Sequence, residues 1–456
     1  MSPQGSPASS SEKYVDPSVA SAIRAEVFLR QLQLLLPHFR FATHNPNKKR
    51  EGEDRIMQDQ QNAEERRMAV EAALNPFGYY RKMRESDPVS YDEKNKIWTL
   101  FRYEDVLRVT SDYSTFSSEQ VVTSEQGLES LRQEGISEED MPTQSILSLD
   151  PPRHRQLRSL VSQAFTPRSI ALLTPRITQI AHEYLDKVAS TGKMDIIQDL
   201  SYPLPVIVIA ELLGIPIEDR AQFKRWSDGL IDPAPDAVNS VIVEMNRYFR
   251  PIIAERRREP REDLISGLVA AEVEGEKLTE RELLSFCVIL LVAGNITTTN
   301  LIGNAILCFD EHPEVMDQMR EDLSLLPTAI EEVLRYRSPV QMLVRVAATN
   351  TVIGGKEIKQ GQFVVPYLGS ANRDETQFPE PDVFDIKRTP NRHVAFGHGI
   401  HFCIGAPLAR LETRIAFEAL LTRFKNIKRV EETPLEPLRA GGGFYGVKNL
   451  PVTFEV

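Results

Sequence analysis

Cysteine is scarce: 456 residues hold only Cys287, Cys308 and Cys403. An odd number at such wide spacing builds no disulfide framework and is too few for an added iron–sulfur module, so a reducing, cytoplasmic setting is expected. Positive charge is in deficit, with 54 Lys and Arg against 65 Asp and Glu, a net of -11. An acidic chain is repelled by nucleic acid and by anionic membrane surfaces, which excludes both as main partners. Near the N-terminus no basic stretch precedes an unbroken apolar run, so no signal peptide is expected. The apolar segment Val27 to Leu36 is interrupted by Arg30, Gln31 and Gln33, and no membrane span is read there. No repeat or compositional linker divides residues 75–456.

What remains is an ordinary globular composition, 41% hydrophobic and 26% charged, enough for a sizeable core. Residues 1–74 read as an N-terminal extension, largely disordered. It has a Ser/Pro-rich start, one amphipathic helical pattern from Val19 to Leu36, and a charged, Gln-rich stretch from Asn45 to Arg67. Residues 75–456 read as one domain, mainly α. A β-like run at Ile97 to Phe101 is followed by a helical pattern at Tyr103 to Thr110. Long helices fill Pro167 to Arg258, with a turn forced by Pro233 and Pro235. Thr279 to Asp310 is the longest apolar helical pattern and reads as a central, covered helix. Short strands follow near Val344 to Val352 and Phe363 to Pro366, then a last helix from Ala406 to Phe424.

The sharpest local signal is Phe396-Gly-His-Gly-Ile-His-Phe-Cys403-Ile-Gly405-Ala406-Pro, opening that last helix. A cysteine among glycines is by itself more often a small core residue. At a helix N-terminus, however, free amides and the positive end of the dipole favour thiolate, the form that binds iron. Glycines 397, 399 and 405 permit sharp turns and close backbone approach to a flat group. Phe396 can shield the sulfur. The spacing of Phe396, Gly399, His401, Cys403 and Gly405 resembles the cysteine loop of the cytochrome P-450 superfamily, soluble bacterial type.

That resemblance runs from about Asn75 to the C-terminus and implies a triangular α-helical prism with a small β-rich region. It places haem b (heme b, iron protoporphyrin IX) between the central helix and the cysteine-ligand helix, with Cys403 as the iron ligand. His154, Arg158, Arg345 and His401 match the family's contacts to the haem propionates, with Phe396, Gly399, Gly405 and Ala406 lining the ligand loop. Taken singly, each of the four cationic positions is as readily a solvated surface charge. Glu332 and Arg335, three apart on one helix, match a structural ion-pair network completed by Arg388.

In the central helix, Ala293-Gly294-Asn295-Ile296-Thr297-Thr298 matches the oxygen-activating segment. Gly294 and the Thr hydroxyls are expected to open a local bend there. Thr297 takes the place of the family's threonine, and Thr298 stands beside it. The acid that normally precedes it is replaced by Ile296, which cannot carry a proton. Proton delivery is therefore expected through water and Thr297, with Asn295 or Thr298 as possible organisers. Three alternatives stay open at this point: a peroxide-driven peroxygenase, a redox-neutral isomerase or dehydratase, and a non-catalytic haem sensor.

The substrate pocket is placed by resemblance at Ile289, Val292, Val340, Gln341, Val344, Phe444 and Tyr445, with Gln341 and Tyr445 as polar contacts. A hydrophobic or amphipathic small molecule is expected, hydroxylated or epoxidised with dioxygen as cosubstrate. Electrons would come from NAD(P)H through a separate ferredoxin or flavodoxin with its reductase, docking near Arg155, Arg410 and Arg414. A monomer is expected.

Overall fold

The computed structural model describes residues 67–119, 129, 131–133, 135–231, 237–273, 275–438 and 443–456. The amphipathic pattern at Val19 to Leu36 and the prolines at 233 and 235 lie outside the described residues. Ordered structure starts earlier than residue 75. Residues 67–74 form a helix, α1, from good helix formers such as Met68, Ala69, Ala72 and Leu74. The Leu74 carbonyl accepts a hydrogen bond from the Tyr445 hydroxyl at 2.6 Å, so the boundary at 74/75 cuts through packed structure.

The helices that matter for the site are α2 (Phe77–Ser86), α3 (Tyr103–Ser111), α4 (Arg153–Ala164), α5 (Thr174–Ala189), α6 (Pro203–Leu212), α7 (Arg220–Ile231), α8 (Ala237–Arg258), α9 (Glu280–Glu311), α10 (Leu326–Tyr336) and α11 (Ala406–Arg423). The strands that matter here are β1 (Val89–Asp92), β2 (Ile97–Leu100), β3 (Phe116–Ser117), β4 (Lys193–Asp195), β5 (Arg345–Ala347), β6 (Phe363–Pro366), β7 (Lys425–Arg429) and β8 (Pro451–Glu455). This is a mainly α fold with a small β part, as the sequence implies.

The central helix α9 is 32 residues long and begins in a capping box: the Thr279 hydroxyl accepts from the Glu282 amide and Glu282 reaches back to Thr279. With a mean hydropathy of 1.7 over its most apolar window, α9 is long and apolar enough to cross a bilayer, yet 72% of that window is buried inside the protein. Helices α6, α7, α8, α10 and α11 all pack against it. The main core therefore forms around α9, and any side chain on an uncovered part of it is conspicuous.

The larger sheet runs β1-β2-β6-β5-β3. Its pairing of Val364 with Arg345 delivers Arg345 from a buried strand. The strand read as Val344 to Val352 is two strands. β5 ends at Ala347, the chain turns through Ala348 to Asn350, and Thr351–Ile353 pairs instead with Lys356–Ile358. The Asn350 side chain fixes that corner by accepting from the Gln360 amide.

Candidate active site

The stretch before α11 is a closed loop. The Phe396 carbonyl accepts from the Cys403 amide at 2.9 Å, and the Val394 carbonyl from the Gly397 amide at 2.8 Å. Gly399 has φ +69°, and a Cβ there would lie 2.7 Å from the Thr110 carbonyl of α3. Its glycine is thus required by the turn and by the backbone of α3.

Cys403 ends this loop two residues before Gly405, the uncapped N-terminus of α11. Protein surrounds its sulfur, yet the residue is accessible, so it faces a recess within the fold. Burial pushes the thiol up. The amides of Gly405 and Ala406 and the charges of Arg158 and Arg410 oppose this without overcoming it. The helix amides thus act in the direction of thiolate, and a cation bound to the sulfur would complete the shift. Among the described residues no three His, Cys, Asp or Glu side chains converge. A porphyrin iron held by Cys403 would bring its remaining ligands with it.

The cationic candidates do converge. His154 and Arg158 lie one turn apart on α4, and the His154 and His401 rings are 4.3 Å apart. Burial first, then Arg345, His154 and Arg158, pushes His401 down to about 3. Burial likewise lowers Arg345 to about 10, with Asp150 opposing, and it lowers Arg158, with Cys403 opposing. Asp150 is the acid facing this group, 4.0 Å from His401 Nε2, and it also accepts from Ser117 and the Ser118 amide. His401 Nε2 is buried with no hydrogen-bond partner. A buried cluster with surplus positive charge and an orphaned nitrogen fits a group carrying carboxylates, and haem has two.

On α9, Ile289, Val292, Ala293 and Thr297 are partly or fully accessible, while Asn295, Ile296, Thr298, Thr299 and Asn300 are buried. Positions 289, 293 and 297 share one face, so an otherwise covered helix leaves one stripe uncovered. Thr297 donates its hydroxyl to the Ala293 carbonyl at 2.7 Å. Thr298, 100° further round the helix, is 3% exposed and off the stripe. Its catalytic candidacy does not survive. Gly294 faces α6, where a Cβ would sit 2.2 Å from Ile209 Cδ1. It serves helix packing, and α9 continues through it as α-helix. Asn295 is also turned away: its amide donates to Ser227 of α7, and its oxygen accepts from Thr299 at 3.2 Å.

The ion-pair network closes as expected. Arg335 meets Glu332 through two bonds of 2.8 and 2.7 Å, both side chains fully buried, and Arg388 reaches the same carboxylate at 3.2 Å. Asn391 and the Asp385 amide supply further donors. Remaining Arg335 donors go to the carbonyls of Asn372, Pro381 and Val383. The network ties α10 to the loop leading to Cys403.

The substrate candidates divide. Val340 and Phe444 form an isolated antiparallel bridge, joining the strand entry to the late turn, and Val340, Val344 and Phe444 are half-buried. The two polar candidates are engaged elsewhere. Gln341 is 3% exposed, donates to the Ser338 carbonyl and accepts from the Tyr80 hydroxyl. Tyr445 gives its hydroxyl to Leu74. The docking cations also divide. Arg155 is exposed, whereas Arg410 is bonded to Glu331 and Arg414 to Glu418. Sequence reasoning misses Asp150, Glu331 and His393. Their partners lie far along the chain, and only the doubled Glu331-Glu332 hints that one acid serves another contact.

A family model described as Cytochrome P450 matches residues 219–445. A putative cytochrome P450, YjiB, of Bacillus subtilis is 44% identical over 83% of this chain and 94% of its own length. The cyclomarin C epoxidase CymV of Salinispora arenicola is 41% identical over 83% of this chain and 95% of its own. Among solved structures, CYP109E1 from Bacillus megaterium in complex with corticosterone superposes with a TM-score of 0.77 at 40% identity. That match covers 85% of this chain and 100% of that one.

Proposed function

The chain belongs to the cytochrome P450 family and is a haem-thiolate monooxygenase acting on a hydrophobic small molecule; from that premise we propose which of its residues do the work. When bound, haem supplies dioxygen activation and insertion of one oxygen atom into substrate. Cys403 would hold its iron from the N-terminus of α11. His154, Arg158, Arg345 and His401 would neutralise its propionates. The observation that carries this assignment is the meeting of those four side chains, with the orphaned His401 Nε2, in the same recess as the Cys403 sulfur.

Substrate would lie along the open stripe of α9, against Ile289, Val292 and Ala293, with Val340, Val344 and Phe444 as further walls. These are apolar, so binding rests on burial of apolar surface and shape. A rigid polycyclic alcohol or ketone of steroid size is the first class to test, as CYP109E1 was crystallised with corticosterone. Thr297 is the polar side chain of the stripe. With its own proton given to the Ala293 carbonyl, its oxygen accepts from a water in the recess and so fixes one end of a water path. Ile296 is packed away from it, so that path runs without a carboxylate.

Two electrons would come from NAD(P)H through a separate ferredoxin or flavodoxin and its reductase. Arg155, exposed on α4, is the cation to which we would first expect an acidic carrier to dock. We read the protein as cytoplasmic and monomeric. The test is the ferrous carbonyl spectrum of the purified protein. A thiolate-type band that disappears in Cys403→Ser supports the assignment, and a band unchanged by that substitution refutes it.

A further inference from the structure

Arg410 lies about one turn into α11, on the helix that follows Cys403. Its Nε and Nη2 meet the two oxygens of Glu331 on α10 at 2.6 and 2.7 Å. This is a fork-to-fork pair that fixes the guanidinium in orientation as well as position. Glu331 is held in turn by His393 Nε2 at 3.0 Å. The Arg410 guanidinium carbon stands 4.5 Å from the centre of the Phe396 ring, within cation–π range. Phe396 is the residue whose carbonyl binds the Cys403 amide. A chain of contacts therefore runs from α10 through a charge pair and an aromatic ring to the proposed iron ligand.

An ion pair about one-third exposed is worth little as a brace for the fold. Its placement has other consequences. The field of a fixed charge beside a buried sulfur is poorly screened, and Arg410 is among the cations acting on Cys403. Charge near a haem ligand and dryness around it are two of the levers by which a protein sets its reduction potential.

We propose that Arg410 is a positioning residue for the iron ligand. Gripped by Glu331, it holds the Phe396 ring and one positive charge beside the Cys403 sulfur, and the pair thereby sets the potential at which bound haem accepts its first electron. This rests on the haem-thiolate assignment above. The cation favours the reduced state, and the carboxylate that restrains it offsets part of that effect. Removing the two partners should therefore act in opposite directions, which a purely structural brace would not do.

The experiment is a spectroelectrochemical titration of the haem-loaded full chain, with Arg410→Gln, Glu331→Gln and Arg410→Lys alongside. Arg410→Gln should lower the ferric–ferrous midpoint and Glu331→Gln should raise it, each by a severalfold change in the equilibrium constant. Arg410→Lys keeps the charge but loses the fork. It should stay near the parent potential while shifting or broadening the ferrous carbonyl band, as Phe396 is released. Equal potentials in all four proteins, or shifts of Arg410→Gln and Glu331→Gln in the same direction, overturn the proposal. If Arg410→Gln retains no haem, Glu331→Gln decides alone, and an unchanged midpoint counts against it. A parent protein lacking the thiolate-type carbonyl band would sink the haem-thiolate assignment itself, a result distinct from any of these.

Discussion

The Thr297 hydroxyl is bonded to the Ala293 carbonyl one turn earlier, at 2.7 Å, on the uncovered stripe of α9. The bond leaves the oxygen free to accept, and the next residue back, Ile296, offers nothing to the same end. On the function proposed above, proton delivery would depend on a hydroxyl that holds water and not on an acid that supplies it.

Thr297→Ala should therefore leave substrate binding intact, seen as an unchanged spin-state shift on titration. It should cut product formed per NAD(P)H consumed by at least about tenfold, in line with the loss of a positioned proton-transfer group. Thr297→Ser, which keeps the oxygen, should recover most of the coupling. A Thr297→Ala protein as well coupled as the parent would mean that water alone carries the proton.

Glu332 presents a different case, because its partners are structural. Arg335 is wholly buried and Arg388 nearly so, and both converge on one carboxylate. Glu332→Ala would strand two guanidinium groups in the interior. The expected cost is about 3–5 kcal/mol, enough to remove much of the stability of a typical domain. Urea unfolding with haem content recorded in parallel checks this. Haem loss should accompany unfolding, because the same loop carries Cys403.

These two residues also show what was legible beforehand. Thr297, Cys403 and the Glu332–Arg335 pair sit in short motifs that carry the resemblance to the family, and the long apolar run gives α9 within one residue at either end. Contacts between distant segments are not written in that way. Gln341 and Tyr445 look like polar pocket residues in the sequence, but their partners, Tyr80 and Leu74, lie hundreds of residues away. Gly294 reads as a weak point in a helix until Ile209 of α6 is placed against it. Local pattern encodes period and turn chemistry, whereas satisfaction of a buried polar atom is decided by whichever element folds back upon it.

The Gly294–Ile209 contact makes its own prediction. An added methyl would meet Ile209 Cδ1 at 2.2 Å, so Gly294→Ala forces that side chain or α6 to shift, at about 1–3 kcal/mol. Cδ1 is the end of a flexible side chain, so Ile209→Val in the same protein should restore most of the loss. Thermal unfolding of the two single variants and the double variant tests this. Additive losses would show that the methyl clashes elsewhere.

Glu412, on α11, is buried with one oxygen unpartnered, and burial alone raises its carboxyl to about 8. The sign follows from linkage. In the unfolded chain this group ionises near its ordinary value of 4.5, while in the folded protein it stays protonated until about 8. Between these values the unfolded state binds fewer protons. The stability associated with neutral Glu412 is thus complete below 4.5 and is lost as pH rises toward 8, reaching about 3 kcal/mol at pH 7. Glu412→Gln keeps the shape and cannot ionise. The difference in unfolding free energy between variant and parent should therefore move in favour of the variant as pH is raised from 5 to 8. Parallel pH profiles for the two proteins would show that Glu412 is already ionised in the folded state, held by a partner that this geometry does not provide.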